Sequence, residues 1–282
     1  MIFASRGIEL KTPEQLKLMR RAGLVVARAL SATCSEVRPG ITTGELDALA
    51  AGVIESAGAI PSFLGYGADA DGSGGFPGVV CISVNEEVVH GIPGQRVLHP
   101  GDVVSIDCGA IVDGWHGDSA RTILVGEANP EHQRLSEVTR QALWRGIAAA
   151  RLGGRVSDIG AAIDDHVEDQ PEGFGIVTEY VGHGIGSAMH QPPDVPNYRH
   201  HGRSPRIVPG MALAIEPMLT LGDPDSDTLG DGWTVVTRDG QVAAHWEHTI
   251  TVTRQGLWVL TAEDGGEQLL GELGVPFGPL SD

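Results

Sequence analysis

Four carboxylates stand where apolar strands should not carry them. Pro100-Gly101-Asp102-Val103-Val104-Ser105-Ile106-Asp107 has a counterpart in Pro209-Gly210-Met211-Ala212-Leu213-Ala214-Ile215-Glu216. Each is a Pro-Gly turn followed by a short apolar strand that ends on an acid. An unpaired ionised carboxylate in an apolar setting is costly, so two copies of this pattern point to a cation between them. Val103 to Val125 reads as a hairpin turning near Asp113-Gly114. With those two as turn residues, Asp107 faces Ala120 and Asp118 faces Gly109. Centred one residue earlier, the hairpin sets Asp107 opposite Asp118. Side chains alternate along a strand, so both acids share a face in either register. Glu216 and Glu247 form the matching pair, Glu247 opening the strand Glu247-His248-Thr249-Ile250-Thr251-Val252-Thr253. Like charges this close need a counter-charge or a shared proton. Four carboxylates and one imidazole suit two divalent ions, about 3.5–4 Å apart, with bridging carboxylates and a water or hydroxide between them. Oxygen-rich ligation with one nitrogen favours Mn, Fe, Co or Zn in a catalytic site.

The imidazole is less determined. Gly182-His183-Gly184-Ile185-Gly186-Ser187-Ala188-Met189-His190 sets two histidines among glycines, which permit close backbone approach to a ligand. Spacing does not decide which of His183 and His190 binds metal. His90, in Val88-Val89-His90-Gly91-Ile92-Pro93-Gly94, reads equally as a core histidine. His99, His116, His132, His166, His200, His201, His245 and His248 have no comparable setting and read as structural. Asp69, Asp71, Ser73 and Gly74 imitate a calcium loop, but Val80 stands where its terminal Glu belongs. A solvated loop is expected over 67–75, and the same holds for the acids Asp223, Asp225 and Asp227.

These groups must be positioned by a repeating set of elements. Thr12-Pro13-Glu14-Gln15 reads as a capped helix start, and Leu16, Met19, Ala22, Gly23 and Val26 mark one face of a helix running to about Val37. Thr43 is expected to cap a second helix through about Ala57, with short strands from Val79 onward. The order recurs: Asn129-Pro130-Glu131 opens a third helix, Ser157 is expected to cap a fourth, and strands follow to about Leu260. His90-Gly91-Ile92 in the first half matches His183-Gly184-Ile185 in the second. The chain therefore reads as an α+β protein of two αα-then-β halves, roughly 10–126 and 127–260. The segment from about Glu263 shows little helical or strand pattern and is expected to be a loosely held extension.

In this order the residues resemble the dinuclear methionine aminopeptidases of the pita-bread metallopeptidase family, in their short bacterial type I form. The likeness runs over about 9–262. It includes Lys11-Thr12-Pro13-Glu14, Thr42-Thr43-Gly44-Glu45-Leu46-Asp47, Cys81-Ile82-Ser83-Val84-Asn85-Glu86, His90-Gly91-Ile92-Pro93, His116-Gly117-Asp118, Gly182-His183-Gly184-Ile185-Gly186 and Glu247-His248-Thr249. The resemblance implies a pseudo-twofold pita-bread fold with a curved antiparallel sheet. It implies an amino-terminal segment over 1–8, a single catalytic domain over 9–262 and a C-terminal tail over 263–282. It further implies that Asp118, His183, Glu216 and Glu247 hold one ion and Asp107, Asp118 and Glu247 the other. A bridging hydroxide would attack the first peptide carbonyl, with Glu216 as proton shuttle. His190 would meet the carbonyl oxygen and His90 the scissile amide nitrogen. Tyr66, Phe76, Cys81 and Trp233 would line a methionine pocket. The chain departs from the family at Phe63, at Met189 and in the longer loop 67–75, which bears on pocket size. Proline-directed peptidases of the same fold use similar ligands but carry a large extra amino-terminal domain. A non-catalytic pita-bread binding protein would be expected to lose ligands, and here all five positions are filled.

Composition sets the context. Of 282 residues, 37 are acidic and 19 basic, a formal charge of −18, which disfavours nucleic acid or an anionic membrane as principal partner. The three cysteines lack any CxxC spacing and read as reduced thiols of a cytosolic protein. No charged-then-apolar leader is read at the start and no apolar run approaches the length of a membrane span. A cytoplasmic monomer acting on nascent polypeptide amino termini is expected, with ribosome association left open.

Overall fold

The structure, a computed structural model, describes residues 7–127 and 129–281. Residues 1–6 of the expected amino-terminal segment, with Ala128 and Asp282, lie outside the described residues. Helix α1 spans Pro13–Ser35, with the capping box in place: Gln15 N–H donates to Thr12 Oγ1 at 3.3 Å, and Thr12 N–H donates to Gln15 Oε1 at 2.8 Å. Helix α2 spans Thr43–Ser56, and its cap is Thr42, one residue before the expected Thr43. Glu45 decides this, because its carboxylate takes both the N–H and the hydroxyl of Thr42 at 2.8 Å. Thr43 is buried instead, its hydroxyl donating to the Gly94 carbonyl.

The second half repeats the plan with helices α3 (Pro130–Ala149) and α4 (Val156–Glu168). Asn129 caps α3 as expected. In α4 the N-cap is Arg155 rather than Ser157, since Asp158 accepts the Arg155 N–H at 2.8 Å. Ser157 lies in the first turn, and its N–H donates to Ser204 Oγ.

Each helix pair covers one sheet. In the first half, Val103–Val112 pairs antiparallel with Val80–Val84 on one edge and Trp115–Leu124 on the other. In the second half, five antiparallel strands run in the order Leu257–Val259, His248–Val252, Ala212–Ile215, Gly182–Gly184, Gln191–Val195. Two apolar cores result. Val26, Leu30, Leu46 and Ile54 meet Ile82 and Ile106 in one; Leu135, Ile147, Ile159 and Ile163 meet Leu213, Ile215 and Ile250 in the other. The two sheets meet where Glu247 N–H donates to Ala120 O at 3.0 Å and Ala120 N–H donates to Glu247 O at 3.3 Å, and the halves are bonded again where Glu87–Val89 pairs with Val235–Thr237. The seam between the halves thus runs beside Asp118 and through Glu247.

Helix α1 lies unusually close to this seam. A Cβ on Gly117 would come 2.7 Å from Gly23 N, and one on Gly23 would come 2.2 Å from Leu260 O. Two facing glycines let the helix backbone rest on the strand that carries Asp118.

The expectation of a loosely held C-terminal extension is corrected. Residues 267–272 form helix α5, Leu270 and Val275 are buried in the second-half core, and Phe277 bridges Leu257 in parallel. The Arg20 guanidinium of α1 donates to the carbonyls of Val259, Leu260, Ala262 and Glu263. Six residues are too few for helical periodicity to show, and the apolar positions beyond it follow no regular repeat.

Gly23→Ala is expected to destabilise the fold by about 1–3 kcal/mol, because the methyl meets backbone that cannot turn aside. Denaturant unfolding measures this. A surface change such as Gly52→Ala, where nothing lies within 4 Å, should not lower stability.

Candidate metal centre

The hairpin register brings the first two acids together. Asp113 and Gly114, both at positive φ (50° and 82°), form the turn. Asp107 then pairs with Ala120 and Asp118 with Gly109, the first of the two expected registers. In the second half His248 pairs with Ile215, so continuing that register sets Glu247 opposite Glu216. His183 pairs with Ala214, two residues before Glu216 and therefore on its face. Its Nε2 lies 3.4 Å from Glu216 Oε1, and its Nδ1 lies 3.0 Å from the Gly184 carbonyl. A carbonyl can only accept, so Nδ1 carries the proton and Nε2 is left with a lone pair toward the carboxylates.

Five side chains, from three strands and the ends of two more, thus line a cavity of about 320 Å³. Ligand atoms of Asp118, His183 and Glu247 all lie within 4.8 Å of one another, and all three residues are buried. The electrostatics are severe. Burial, then the charges of Asp118 and Glu216, push Asp107 well above the usual carboxylate range. Burial and neighbouring acids, Asp118 foremost, do the same to Glu216 and Glu247. Asp118 is pushed up to about 7, chiefly by burial. Burial, then His190, pulls His183 down to about 4, so its imidazole is neutral.

The donor set fits divalent ions. Asp107 Oδ1, Asp118 Oδ1 and Glu247 Oε1 are buried with no hydrogen-bond partner, an arrangement that protein groups do not relieve and a cation would. Four carboxylates and one neutral imidazole make a hard, oxygen-rich set suited to Mn²⁺, Fe²⁺, Co²⁺ or Zn²⁺.

The remaining candidates line the same cavity. His90, His190, Tyr66, Phe76, Cys81 and Trp233 are all on its wall. Phe63, Phe76, Cys81 and Met189 form one apolar cluster with Trp233 against it. His90 holds a positive φ of 59°, and its ring meets Tyr180 and Trp233 edge-on. Burial pulls it down to about 4. The loop between His183 and His190 is tied from outside. Glu9 accepts from the Ser187 hydroxyl at 2.6 Å and its N–H at 3.1 Å, while the buried Lys11 ammonium lies 3.4 Å from Glu9 and from Gln191.

Sequence reasoning missed several wall residues: Val89, Glu179, Tyr180, Val181, Met218 and His245. Two had a usable signal. Met218 follows Glu216 by two and His245 precedes Glu247 by two, so strand alternation puts them on the ligand face, and they pair directly. His245, read as structural, is buried with Nε2 unpartnered. Tyr180 sits in an irregular approach to its strand, where no periodicity applies. His116, also read as structural, accepts or donates at Nδ1 to Ser62 Oγ, 3.0 Å away.

Residues 17–254 match metallopeptidase family M24. The chain belongs to that family and has its pita-bread fold. Its relatives include methionine aminopeptidase 1 of Bacillus subtilis (strain 168), 49% identical over 251 residues covering 89% of this chain and 98% of that one. Methionine aminopeptidase 1 of Mycobacterium tuberculosis is 47% identical over 261 residues, 91% and 96% of the two chains. The crystal structure of methionine aminopeptidase from Thermotoga maritima superposes with a TM-score of 0.85 at 40% identity, covering 91% of this chain and all of that one. Prolidase from Pyrococcus furiosus shares the fold, with a TM-score of 0.70 at 22% identity over 90% of this chain and 65% of its own.

The raised carboxylates predict a pH-dependent contribution in metal-free protein. At Asp118 the folded state holds a proton that the unfolded chain has released, so this group's contribution to stability is lost as pH rises from 3.8 through about 7, while the buried histidines pulled below their ordinary value act in the opposite sense up to 6.5. Thermal melts of wild type against Asp118→Asn in chelator between pH 5 and 7.5 isolate the acid's part: the wild type should lose stability relative to the variant as pH rises. A chelated wild type that gains stability relative to the variant over that range would contradict the reading.

Proposed function

We propose that this chain is a methionyl aminopeptidase, removing the first methionine from polypeptides with a free amino terminus. One observation carries the reading: a cluster of buried carboxylates with a neutral imidazole lines a cavity whose other walls are mainly aromatic and aliphatic, with the Met218 thioether, the Cys81 thiol and Glu179 among them. Kinship with methionine aminopeptidases at 43–49% identity over about nine-tenths of the chain supports it.

Asp118, His183, Glu216 and Glu247 would hold one divalent ion, and Asp107, Asp118 and Glu247 a second, with Asp118 and Glu247 shared. Such ions, when bound, supply Lewis acidity toward the peptide carbonyl and generate a nucleophile from water at neutral pH. The protein's own groups do the rest. Glu216 takes a proton from the water and returns it to the departing amine. His190 contacts the carbonyl oxygen as negative charge develops there, and His90 contacts the scissile amide nitrogen. Phe76, Cys81, Tyr66 and Trp233 enclose the first side chain with Phe63, and Met189 packs behind them in the same apolar cluster. An unbranched thioether adapts to such a slot and gains sulfur–aromatic contact there. The second residue is expected to be small. The substrates are nascent chain amino termini, met in the cytoplasm by a monomer. Among the described residues no helix is long and apolar enough to cross a membrane.

A Met-Ala-Ser peptide should lose Met with Mn²⁺, Co²⁺ or Zn²⁺ present and not in excess chelator. Asp107→Asn should abolish turnover while the fold, followed by circular dichroism, persists. Metal titration by calorimetry should then show loss of one of two sites. Preference for cleavage before Pro over removal of Met would favour a proline-directed peptidase instead. Met189→Ala should remove packing behind Phe63 and let the wall give, raising kcat/KM for Leu-initiated relative to Met-initiated peptides by roughly tenfold, about the worth of one or two methylenes.

A further inference from the structure

His190 is an imidazole of the cavity wall whose partner stands at the edge of the loop 67–75. Its Nδ1 lies 2.5 Å from the Tyr66 hydroxyl, the two rings meeting edge-on with centroids 5.1 Å apart. On its other side the His183 ring lies 4.3 Å away at 63°. Tyr66 is partly exposed, so the question is whether it is a loose surface aromatic or a held one. Its flanks, Gly65 and Gly67, take φ of 77° and 72°, a conformation that L side chains rarely adopt. Its own N–H and carbonyl are both used, by Phe63 O and by Phe76 N–H. The loop beyond it is closed by Trp233, whose Nε1–H donates to Gly74 O at 3.2 Å. A Cβ on Gly67 would come 2.9 Å from the Trp233 ring, so the glycine admits that contact. The phenol is held where it is.

We propose that Tyr66 is a positioning residue for His190: its hydroxyl donates to Nδ1, keeps the ring proton on Nε2, and so presents an N–H to the substrate carbonyl. This inference rests on the role proposed above for His190. The chemistry favours this direction of donation. A phenol is a better donor than acceptor, because its oxygen lone pair is delocalised into the ring. A neutral imidazole that accepts at one nitrogen must carry its proton on the other. The reverse tautomer would turn a lone pair toward a carbonyl oxygen gaining negative charge, and would repel it.

The test is Tyr66→Phe, which keeps the ring and removes the hydroxyl. In zinc-loaded and in chelated protein, long-range ¹H–¹⁵N correlation of the histidine rings reports the tautomer directly. Wild type should show His190 as the Nε2–H form, and the variant a mixture or the Nδ1–H form. With the Met-Ala-Ser peptide, kcat should fall about tenfold, one hydrogen bond's worth, with KM within about twofold. In a His190→Gln background, whose amide has no tautomer to set, adding Tyr66→Phe should cost little more. An Nε2–H ring in both proteins, or an equal loss in the His190→Gln background, would overturn the proposal. If Tyr66→Phe fails to fold, an Nδ1–H ring in wild type would overturn it alone. The ring spectra stand whether or not the wild type cleaves Met, which the peptide assay decides separately.

Discussion

The protein is organised around a charge problem. Asp107, Asp118, Glu216 and Glu247 share one pocket with no cationic side chain among its lining residues. In a buried setting such groups repel one another and resist ionisation, so the site exists either with extra protons or with bound cations. Each half of the chain supplies two of the acids, and neither half can assemble the site alone. The Ala120–Glu247 backbone pair, which stitches the two sheets together, is therefore also what closes the ligand set. The glycine contact between α1 and the Asp118 strand holds the seam from outside.

Specificity is separable from that constraint. A prolidase shares the fold at 22% identity, which fits the view that an architecture fixes where a site lies and its walls decide what enters. Here the wall comes from loops and strand ends of both halves: Tyr66 and Phe76 from one loop, Trp233 from another, His190 from the end of the segment that follows His183. That last segment is anchored by Glu9 and Lys11, far away in sequence. Lys11 is one of only two lysines in the chain, and it is buried beside Glu9. The cap of α1 and the brace of the His190 loop are neighbours.

Much of this was legible in the sequence alone, for one physical reason. Strand alternation and the cost of burying charge are local rules, so four acids at the ends of apolar strands announced a cation site, and the hairpin put Asp107 and Asp118 on one face. The repeated αα-then-β order likewise announced two matched halves. Other features followed from relations that no local rule contains. The choice of His183 over His190 for the carboxylate cluster depends on pairing with Ala214, and Nε2 is freed because Gly184 O takes Nδ1. Thr42 and Arg155 outcompete Thr43 and Ser157 as caps because Glu45 and Asp158 reach back to them. The C-terminal segment folds because a core built 100 residues earlier has room for Leu270 and Val275. Tyr180 reaches the cavity only because segments distant in the chain converge there. Pairing between remote strands is a property of the whole packed chain, and only the tertiary structure decided it.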